Sequence, residues 1–377
     1  LVGVVLADAA AAVWWWPADP AHALGVAVAV LIVTCPCALS LATPAATLAA
    51  AGALARRGVM VRRLQALESS AAIDTVVFDK TGTLTEDRMA LVATRVRPGA
   101  DPAEALALAA ALARHSLHPA SRAIAEAAGP GGGTARDVTE RSGHGVQGTV
   151  TRGERSDPVE ARLGSAAFTG APASGGEGVG LEAHLADGDG WLASFELDES
   201  MRSEAPAAAT ALRAMGLQVQ LLSGDRPATV QRLAGRAGID AAFGGCSPED
   251  KLEHVRRAQR GGHRVAMVGD GVNDGPVLAR ADVSIAMGQS VPLAQAQADF
   301  VVLGGQLGAV ASLVRTARRT RVIVRQNLAW AAIYNAVSVP LAVMGAMPPW
   351  LAGLGMAASS LLVVANSARL AGGRENI

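Results

Sequence analysis

Two long stretches of the chain carry no charged residue, and they lie near opposite ends of the sequence. They run from 23 to 55 and from 326 to 368, whereas a helix needs only about 20 apolar residues to cross a bilayer. A Met-Pro-Pro-Trp turn signal at 347–350 interrupts the second stretch and predicts a helical hairpin. Residues 1–16 carry one acid, Asp8, and we expect them to be the end of a further span. The pattern predicts four crossings in two pairs.

Arginines crowd the inner edges of the two uncharged stretches. By the positive-inside rule, the long polar middle is then cytoplasmic, and the chain is a multi-pass protein of a lipid bilayer, the plasma membrane or bacterial inner membrane. The arginines are Arg56, Arg57, Arg62 and Arg63 on one side and Arg315, Arg318, Arg319, Arg321 and Arg325 on the other.

Within the polar middle, short β-rich runs end in acidic or glycine-rich turns. They are 75–78 before Asp79, 219–222 before Ser-Gly-Asp225, and 265–268 before Gly-Asp270. This alternation is typical of a doubly wound α/β sheet, in which functional groups gather at the carboxyl ends of the strands. A long insertion with Gly/Pro-rich loops follows the first run and predicts a separate inserted domain.

These patterns divide the chain into five parts. The expected boundaries are 1–55 for the first transmembrane helices, 56–88 for a linker and the first part of the α/β domain, 89–195 for the inserted domain, 196–320 for the second part of the α/β domain, and 321–377 for the C-terminal hairpin.

Charge and the N-terminal residue add two expectations. The 33 acidic residues balance the 33 lysines and arginines, so nucleic acid is not an expected partner. The sequence begins at Leu1, already apolar and without the basic start of a signal peptide, so we expect a fragment of a longer protein.

The sequence Asp-Lys-Thr-Gly-Thr-Leu-Thr at 79–85 directly follows a predicted buried strand. A carboxylate presented there, that of Asp79, can attack a phosphoryl group. Many soluble phosphatases of this arrangement place a second Asp two residues later, where this chain has Thr81. The phosphorylated enzyme should therefore persist long enough to drive a conformational step.

This heptapeptide resembles the phosphorylation motif of P-type ATPases, and the whole chain is similar to the heavy-metal-transporting members, in particular the copper(I) subgroup. The resemblance implies a haloacid dehalogenase-like phosphorylation domain with a doubly wound parallel sheet. It also implies an inserted α+β nucleotide-binding domain and a transmembrane helix bundle. ATP, Mg²⁺ and a transported Cu⁺ would be its ligands, and a copper chaperone a partner.

The resemblance also implies roles in phosphoryl transfer. Asp79, Thr81 and Asp270 would hold Mg²⁺, and Lys251 would neutralise charge on the transferred group. The remaining residues of the catalytic and nucleotide-phosphate pocket would be Lys80, Thr81, Gly224, Asp225, Asn273 and Asp274.

In the inserted domain, His118-Pro119 resembles the dipeptide with which heavy-metal members hold adenine. The implied glycine turns that admit the nucleotide are Gly143, Gly145 and Gly164. The family commonly has Glu at two positions near this His, where this chain has Ala113 and Leu117, and Asn where it has Ser165.

The Cys35-Pro36-Cys37 sequence lies inside the first uncharged stretch, where ionisable groups are expensive and usually functional. Pro36 removes a backbone hydrogen bond, so the helix should unwind and expose both thiols. Thiolates are soft ligands that suit Cu⁺. Matches in the hairpin to the copper subgroup complete the implied path, which consists of Cys35, Cys37, Tyr334, Asn335, Met356 and Ser360.

Three alternatives remain open from sequence. The cargo could be Zn²⁺ or Cd²⁺, or the chain could be a membrane-anchored phosphatase of the haloacid dehalogenase type, which Thr81 disfavours. A non-catalytic metal-binding remnant is disfavoured by the intact set of Asp79, Lys251 and Asp270. Complete pumps of this family also have an actuator domain and further N-terminal parts, so we expect no sustained transport from this fragment alone.

Overall fold

The computed structural model describes residues 13–131, 133–151, 157–172, 181–270, 275–288 and 297–372. The helices in chain order are α1 (Pro20–Val33), α2 (Cys37–Ala55), α3 (Ala66–Ser70), α4 (Pro102–Ala113), α5 (Pro119–Ala128), α6 (Ala166–Thr169), α7 (Ala205–Ala214), α8 (Pro227–Ala237), α9 (Pro248–Arg260), α10 (Gly275–Arg280), α11 (Gly308–Val343) and α12 (Pro349–Ala368). The strands are β1 (Val59–Val61), β2 (Thr75–Asp79), β3 (Thr85–Val96), β4 (Thr134–Arg141), β5 (Gly145–Thr151), β6 (Val159–Gly164), β7 (Leu181–Asp187), β8 (Gly190–Met201), β9 (Gln218–Leu222), β10 (Ala241–Phe243), β11 (Val265–Gly269), β12 (Val283–Met287) and β13 (Phe300–Val302).

A seven-stranded sheet forms the centre of the α/β unit, in the order β1-β13-β12-β11-β2-β9-β10. Its strands run parallel except β1, which pairs antiparallel with β13. Every residue of β2 and β11 is buried, because helices cover both faces of a doubly wound sheet. Strands β11, β2 and β9 are neighbours, so the acids that end or follow them meet at one edge.

A second, six-stranded antiparallel sheet has the order β3-β8-β7-β6-β5-β4. Helices α4 and α5 pack on one face of it, around a core that includes Leu108, Leu112, Ile124 and Phe195, all fully buried. Strands β3 and β8 connect this α+β unit to the first sheet. The two units together confirm the fold class that the sequence predicts.

The first uncharged stretch folds as α1 and α2, separated at residues 34–36. Pro36 has no amide hydrogen, so one hydrogen bond of the helical ladder is missing at this break. The predicted break at the Cys-Pro-Cys sequence is therefore confirmed. Both helices pack against α12 and α11.

Helix α11 is a single helix of 36 residues. Its first half packs on the core of the α/β unit through Val310, Leu313 and Val314, and its second half packs against α2 and α12. The boundary that we place at residue 321 falls inside this helix, so no loop separates the two parts.

Among the described residues, two helical segments are long and apolar enough to cross a membrane, Pro20–Ala55 and Pro349–Ala368. The second half of α11, which we predict to be the first arm of the hairpin, is less hydropathic because it contains polar residues such as Asn327 and Asn335. The span predicted at 1–16, with Asp8, lies almost entirely outside the described residues.

Candidate functional site

The turn after β2 places Asp79 at the centre of the candidate phosphorylation site. Asp79 is the last residue of β2 and is only 6% exposed. The chain then turns tightly through residues 80–84, where Gly82 has φ 66°, in the left-handed region that favours glycine. A methyl group on Gly82 would lie 3.0 Å from Oδ2 of Asp270, so that carboxylate packs directly against the turn.

Lys251 reaches Asp79 from the first turn of α9. Ser247 and Asp250 form a capping box at the start of this helix, and Pro248 occupies its first position. The side chain of a helical residue points back towards the N-terminus, and the Nζ of Lys251 donates to Oδ1 of Asp79 at 2.6 Å. Lys251 is 6% exposed. The structure thus forms a buried ion pair between residues that are 172 positions apart.

Lys80 lies on the other side of Asp79, in a group of three acids. Its ammonium contacts the carboxylate of Asp225 and lies 3.5 Å from Glu199 and 3.7 Å from Asp198. Burial lowers the pKa of Lys80, but the hydrogen bond to Asp225 and the charges of the three acids outweigh it, so the net pKa is raised above 10.5. Lys80 therefore stays charged at neutral pH.

Glu199 is a site residue that the sequence motifs do not reveal. Its carboxylate accepts hydrogen bonds from the hydroxyls of Thr81, at 3.3 Å, and Thr85, at 2.5 Å. It comes from β8, the strand that connects the two sheets. Because it is more than 110 positions from both threonines, no local spacing could have indicated the contact.

The positions of the lysines in the sequence do indicate this site. The chain has only two lysines, Lys80 and Lys251, among its 33 lysines and arginines. Both lie within this one site. An ammonium is a compact point charge, whereas the planar guanidinium of arginine needs more space, so the small buried site explains why lysine occurs here.

The loop after β9 brings Gly224 and Asp225 to the same edge of the sheet. The backbone N–H of Asp225 donates to the Ser223 hydroxyl at 3.1 Å, and its carbonyl accepts from the Gly245 N–H at 2.6 Å. These contacts orient the Asp225 side chain towards Lys80. Asn273 and Asp274, predicted for the same pocket, lie outside the described residues.

The carboxylates of Asp79 and Asp270 fit the requirements of Mg²⁺. They end or follow the neighbouring strands β2 and β11, and Asp270 packs on the turn that begins after Asp79. Carboxylate oxygens combined with phosphate oxygens and water are the usual ligands of Mg²⁺. The Thr81 hydroxyl, predicted for the same ion, donates to Glu199.

A cavity of about 610 Å³ lies in the α+β unit, and its lining includes all four residues predicted to admit the nucleotide base. These residues are His118, Gly143, Gly145 and Gly164. His118 precedes α5 and caps it, since its Nδ1 accepts from the Ala120 N–H at 3.2 Å. With Nδ1 as the acceptor, a neutral imidazole carries its proton on Nε2.

Two of these glycines are also required by the sheet itself. A methyl group on Gly164 would lie 2.1 Å from the carbonyl oxygen of His144, and one on Gly145 would lie 2.2 Å from that of Leu163. Strands β5 and β6 therefore approach each other too closely for any side chain at either position. This close approach accounts for both glycines whether or not a ligand binds.

A third group of predicted residues meets in the helix bundle, around a small cavity at the break between α1 and α2. Cys35, Tyr334, Asn335 and Met356 line it. Its volume of about 10 Å³ has room for one water-sized particle. The Tyr334 hydroxyl is buried and has no hydrogen-bond partner among the described residues.

Two details of this group differ from the expectation. Ser359 lines the cavity and accepts from Nε1 of Trp330 at 3.1 Å, whereas Ser360 does not line it, because the helix turns the neighbouring position away. Cys35 and Cys37 form a disulfide rather than two free thiols, since their Cα atoms lie 5.5 Å apart across the break, within disulfide reach. Reduction of this bond must precede metal binding by both sulfurs.

Comparisons with known proteins agree with this geometry. A family model described as haloacid dehalogenase-like hydrolase matches residues 73–282. The nitrogen fixation protein FixI of Rhizobium meliloti is 41% identical over 353 residues, 93% of this chain and 45% of the relative. The probable copper-exporting P-type ATPase V of Mycobacterium tuberculosis is 40% identical over 362 residues, 94% of this chain and 47% of the relative.

A solved structure extends the likeness to the helix bundle. The crystal structure of a zinc-transporting PIB-type ATPase in the E2·Pi state is 28% identical, with a TM-score of 0.81 over 98% of this chain and 62% of that one. The present chain spans about half the length of the curated relatives it matches.

The sheet order and the aspartate at the end of β2 define a haloacid dehalogenase-like hydrolase, and the family match over more than half of the chain agrees. Within that class, the chain is similar over 94% of its length to a P-type ATPase, and its fold matches that of a PIB-type ATPase. The predicted family, fold and enzyme class are thereby confirmed.

Proposed function

We propose that this chain is the catalytic part of an ATP-driven Cu⁺ exporter that forms an aspartyl phosphate on Asp79. The observation that carries the proposal is the buried pair of Asp79 and Lys251, with Nζ 2.6 Å from Oδ1 at the carboxyl end of β2. A water-poor site with a fixed positive charge beside the attacking oxygen favours phosphoryl transfer.

The reaction follows from the chemistry of the carboxylate. An oxygen of Asp79 attacks the γ-phosphorus of ATP, the bond from that phosphorus to the bridging oxygen breaks, and ADP leaves. Lys251 balances negative charge on the transferred group. Mg²⁺ held by Asp79 and Asp270 would supply further charge neutralisation on the phosphate oxygens.

The phosphorylated enzyme persists because the position two residues after the nucleophile carries a hydroxyl. Thr81 cannot act as a carboxylic acid that protonates a leaving group or as a carboxylate that activates water. Its hydroxyl also donates to Glu199. The stored energy of the acyl phosphate is then available for movement of the helices that line the small cavity.

Nucleotide binding is assigned to the 610 Å³ cavity of the α+β unit. The Nε2–H of His118 and the glycine edge of β5 and β6 support this assignment. In this proposal, residues 89–195 form the nucleotide-binding domain, and 56–88 with 196–320 form the phosphorylation domain. Both face the cytoplasm, while 1–55 and 321–377 lie in the plasma or inner membrane.

Cu⁺ is the proposed cargo because sulfur is prominent in the lining of the membrane cavity. Met356 offers a thioether beside Tyr334 and Asn335, Cys35 offers a thiol once its disulfide is reduced, and no carboxylate lines the cavity as described. Soft sulfur ligands select Cu⁺. The Tyr334 hydroxyl has no hydrogen-bond partner within the described part of the chain, which supports a ligand at this place. A zinc-transporting relative makes Zn²⁺ the second candidate.

Phosphorylation is tested with ATP radiolabelled at the γ-phosphate and the reduced protein with Cu⁺ and Mg²⁺. We expect acid-stable label that hydroxylamine releases, and none in Asp79→Asn. Asp240→Asn is the control, since the Asp240 side chain is 93% exposed. Label that survives in Asp79→Asn contradicts the proposal, and rapid phosphate release from small esters favours a phosphatase.

The cargo is tested by X-ray absorption on the reduced, Cu⁺-loaded protein. We expect sulfur-dominated coordination that disappears when Cys35→Ser and Cys37→Ser are combined. Cys246→Ser is the matched control, because Cys246 is the free cysteine outside the membrane helices. Equal retention of Zn²⁺ and Cu⁺ in competition, or unchanged sulfur coordination in the double variant, would exclude a copper-selective site here.

A further inference from the structure

One edge of the nucleotide cavity carries a hydrogen-bonded chain of three groups. The Ser116 hydroxyl accepts from the backbone N–H of His118 at 3.2 Å and donates to Oε1 of Glu140 at 2.6 Å. All three residues line the cavity. Ser116 therefore links the Glu140 carboxylate to the backbone of His118, although Glu140 and His118 belong to different elements.

The two carboxylates that line the cavity differ in their partners. Glu182 forms an ion pair with Arg95 at 2.6 Å. Glu140 has no ion pair among the described residues, and its hydrogen bond from Ser116 uses Oε1. Leu117, which lies between Ser116 and His118 in sequence, is 91% exposed and contributes nothing to this edge. Glu140 is thus the carboxylate that remains available to a ligand.

Glu140 and His118 present an acceptor and a donor to the same cavity. The carboxylate accepts hydrogen bonds, and the His118 ring offers Nε2–H because its Nδ1 is the acceptor for Ala120. Adenine presents the complementary pair, since its exocyclic amine is a donor and its neighbouring ring nitrogens are acceptors.

We propose that Glu140 recognises the exocyclic amine of adenine and gives this cavity its preference for adenine nucleotides. The proposal rests on the proposed function in one respect, namely that ATP binds in this cavity. Ser116 acts as a positioning residue that fixes the orientation of the carboxylate. A site built to accept a hydrogen bond loses affinity for a ligand that lacks the donor, because the carboxylate then loses its solvation without compensation.

The test compares ATP with purine riboside triphosphate, which lacks only the amine, by calorimetric titration of the whole chain in detergent. For the unaltered chain we expect the amine-free nucleotide to bind on the order of 10- to 100-fold more weakly. Glu140→Ala should weaken ATP binding by a similar factor and bind the two nucleotides equally. Glu140→Gln keeps an acceptor oxygen and the side-chain shape, so it should retain part of the discrimination.

Glu160→Ala is the control, because Glu160 lies on β6 and does not line the cavity. Its discrimination should match that of the unaltered chain. Discrimination that persists in Glu140→Ala, or its absence in the unaltered chain, overturns the role of Glu140 while leaving ATP binding intact. Failure of the unaltered chain to bind ATP overturns the nucleotide assignment itself, and the role of Glu140 with it.

Discussion

Replacing Lys251 by Met removes the positive partner of the buried Asp79 carboxylate. The side chains of both residues are 8% exposed, and the Nζ–Oδ1 distance is 2.6 Å. Met preserves most of the packing volume, so the main effect is a carboxylate left in a poorly solvated site with Asp270 on the adjoining turn. Removing one partner of a buried ion pair costs about 3–5 kcal/mol.

That cost is large compared with the total stability of a typical domain, about 5–15 kcal/mol. At roughly 2–4 °C per kcal/mol for a unit of this size, the melting temperature should fall by roughly 6–20 °C. Circular dichroism of the chain in detergent near neutral pH measures this shift. Combining Lys251→Met with Asp79→Asn also removes the buried negative charge that Lys251 neutralises, so the double variant should be more stable than the single one.

Two results would refute this reasoning. The first is a shift in Lys251→Met that corresponds to less than about 1 kcal/mol, the range of an exposed ion pair. The second is a double variant that melts no higher than Lys251→Met, which would mean that lost packing, not a stranded charge, causes the instability. Arg260→Met is the matched control on the same helix, because the Arg260 side chain is 68% exposed.

Three other predictions concern the surrounding structure. Glu199→Gln removes the charge that holds the Thr81 hydroxyl and should slow phosphoenzyme formation by roughly tenfold, measured as the initial rate of label incorporation from ATP. Gly164→Ala places a methyl group 2.1 Å from a carbonyl oxygen and should lower the free energy of unfolding by about 1–3 kcal/mol, whereas Gly188→Ala, with open space around it, should change it little. Burial lowers the pKa of His184 below 6.5, so the unfolded chain binds a proton at this residue more readily than the folded chain does. The free energy of unfolding should therefore fall as the pH drops below 6.5. The difference between melting temperatures at ~pH 7.5 and ~pH 5.5 should be smaller in His184→Asn than in the unaltered chain.

The sheet of the phosphorylation site could be predicted because its strands are buried on both faces. Such strands are continuous apolar runs, and each ends in or is followed by an acid at its carboxyl end. The sequence places Asp79, Asp225 and Asp270 at strand ends by this logic. Their adjacency could not be predicted, because it depends on the strand order β11-β2-β9, which no local pattern encodes.

The site residues that could not be predicted from the sequence come from elements that are distant along the chain. Glu199 reaches the site from β8, and Glu140 reaches the edge of the nucleotide cavity from β4. Each is one acid among many in the sequence and belongs to no motif. Gly145 and Gly164 show the opposite case. The sequence analysis assigns them to nucleotide binding, but the close packing of β5 and β6 already requires glycine at both positions.

The proposed coupling between phosphorylation and metal movement requires a stiff connection, and α11 supplies one. At 1.5 Å per residue its 36 residues extend for roughly 54 Å. One half packs into the hydrophobic core that the sheet carrying Asp79 shares, and the other brings Tyr334 and Asn335 to the small cavity in the helix bundle. Between them, the buried Asn327 donates to the Ser367 hydroxyl of α12 at 3.0 Å. Helix α11 is continuous from Gly308 through Asn335, and this contact joins it to α12. In the proposed mechanism, a displacement of the α/β unit would therefore reach both walls of the cavity.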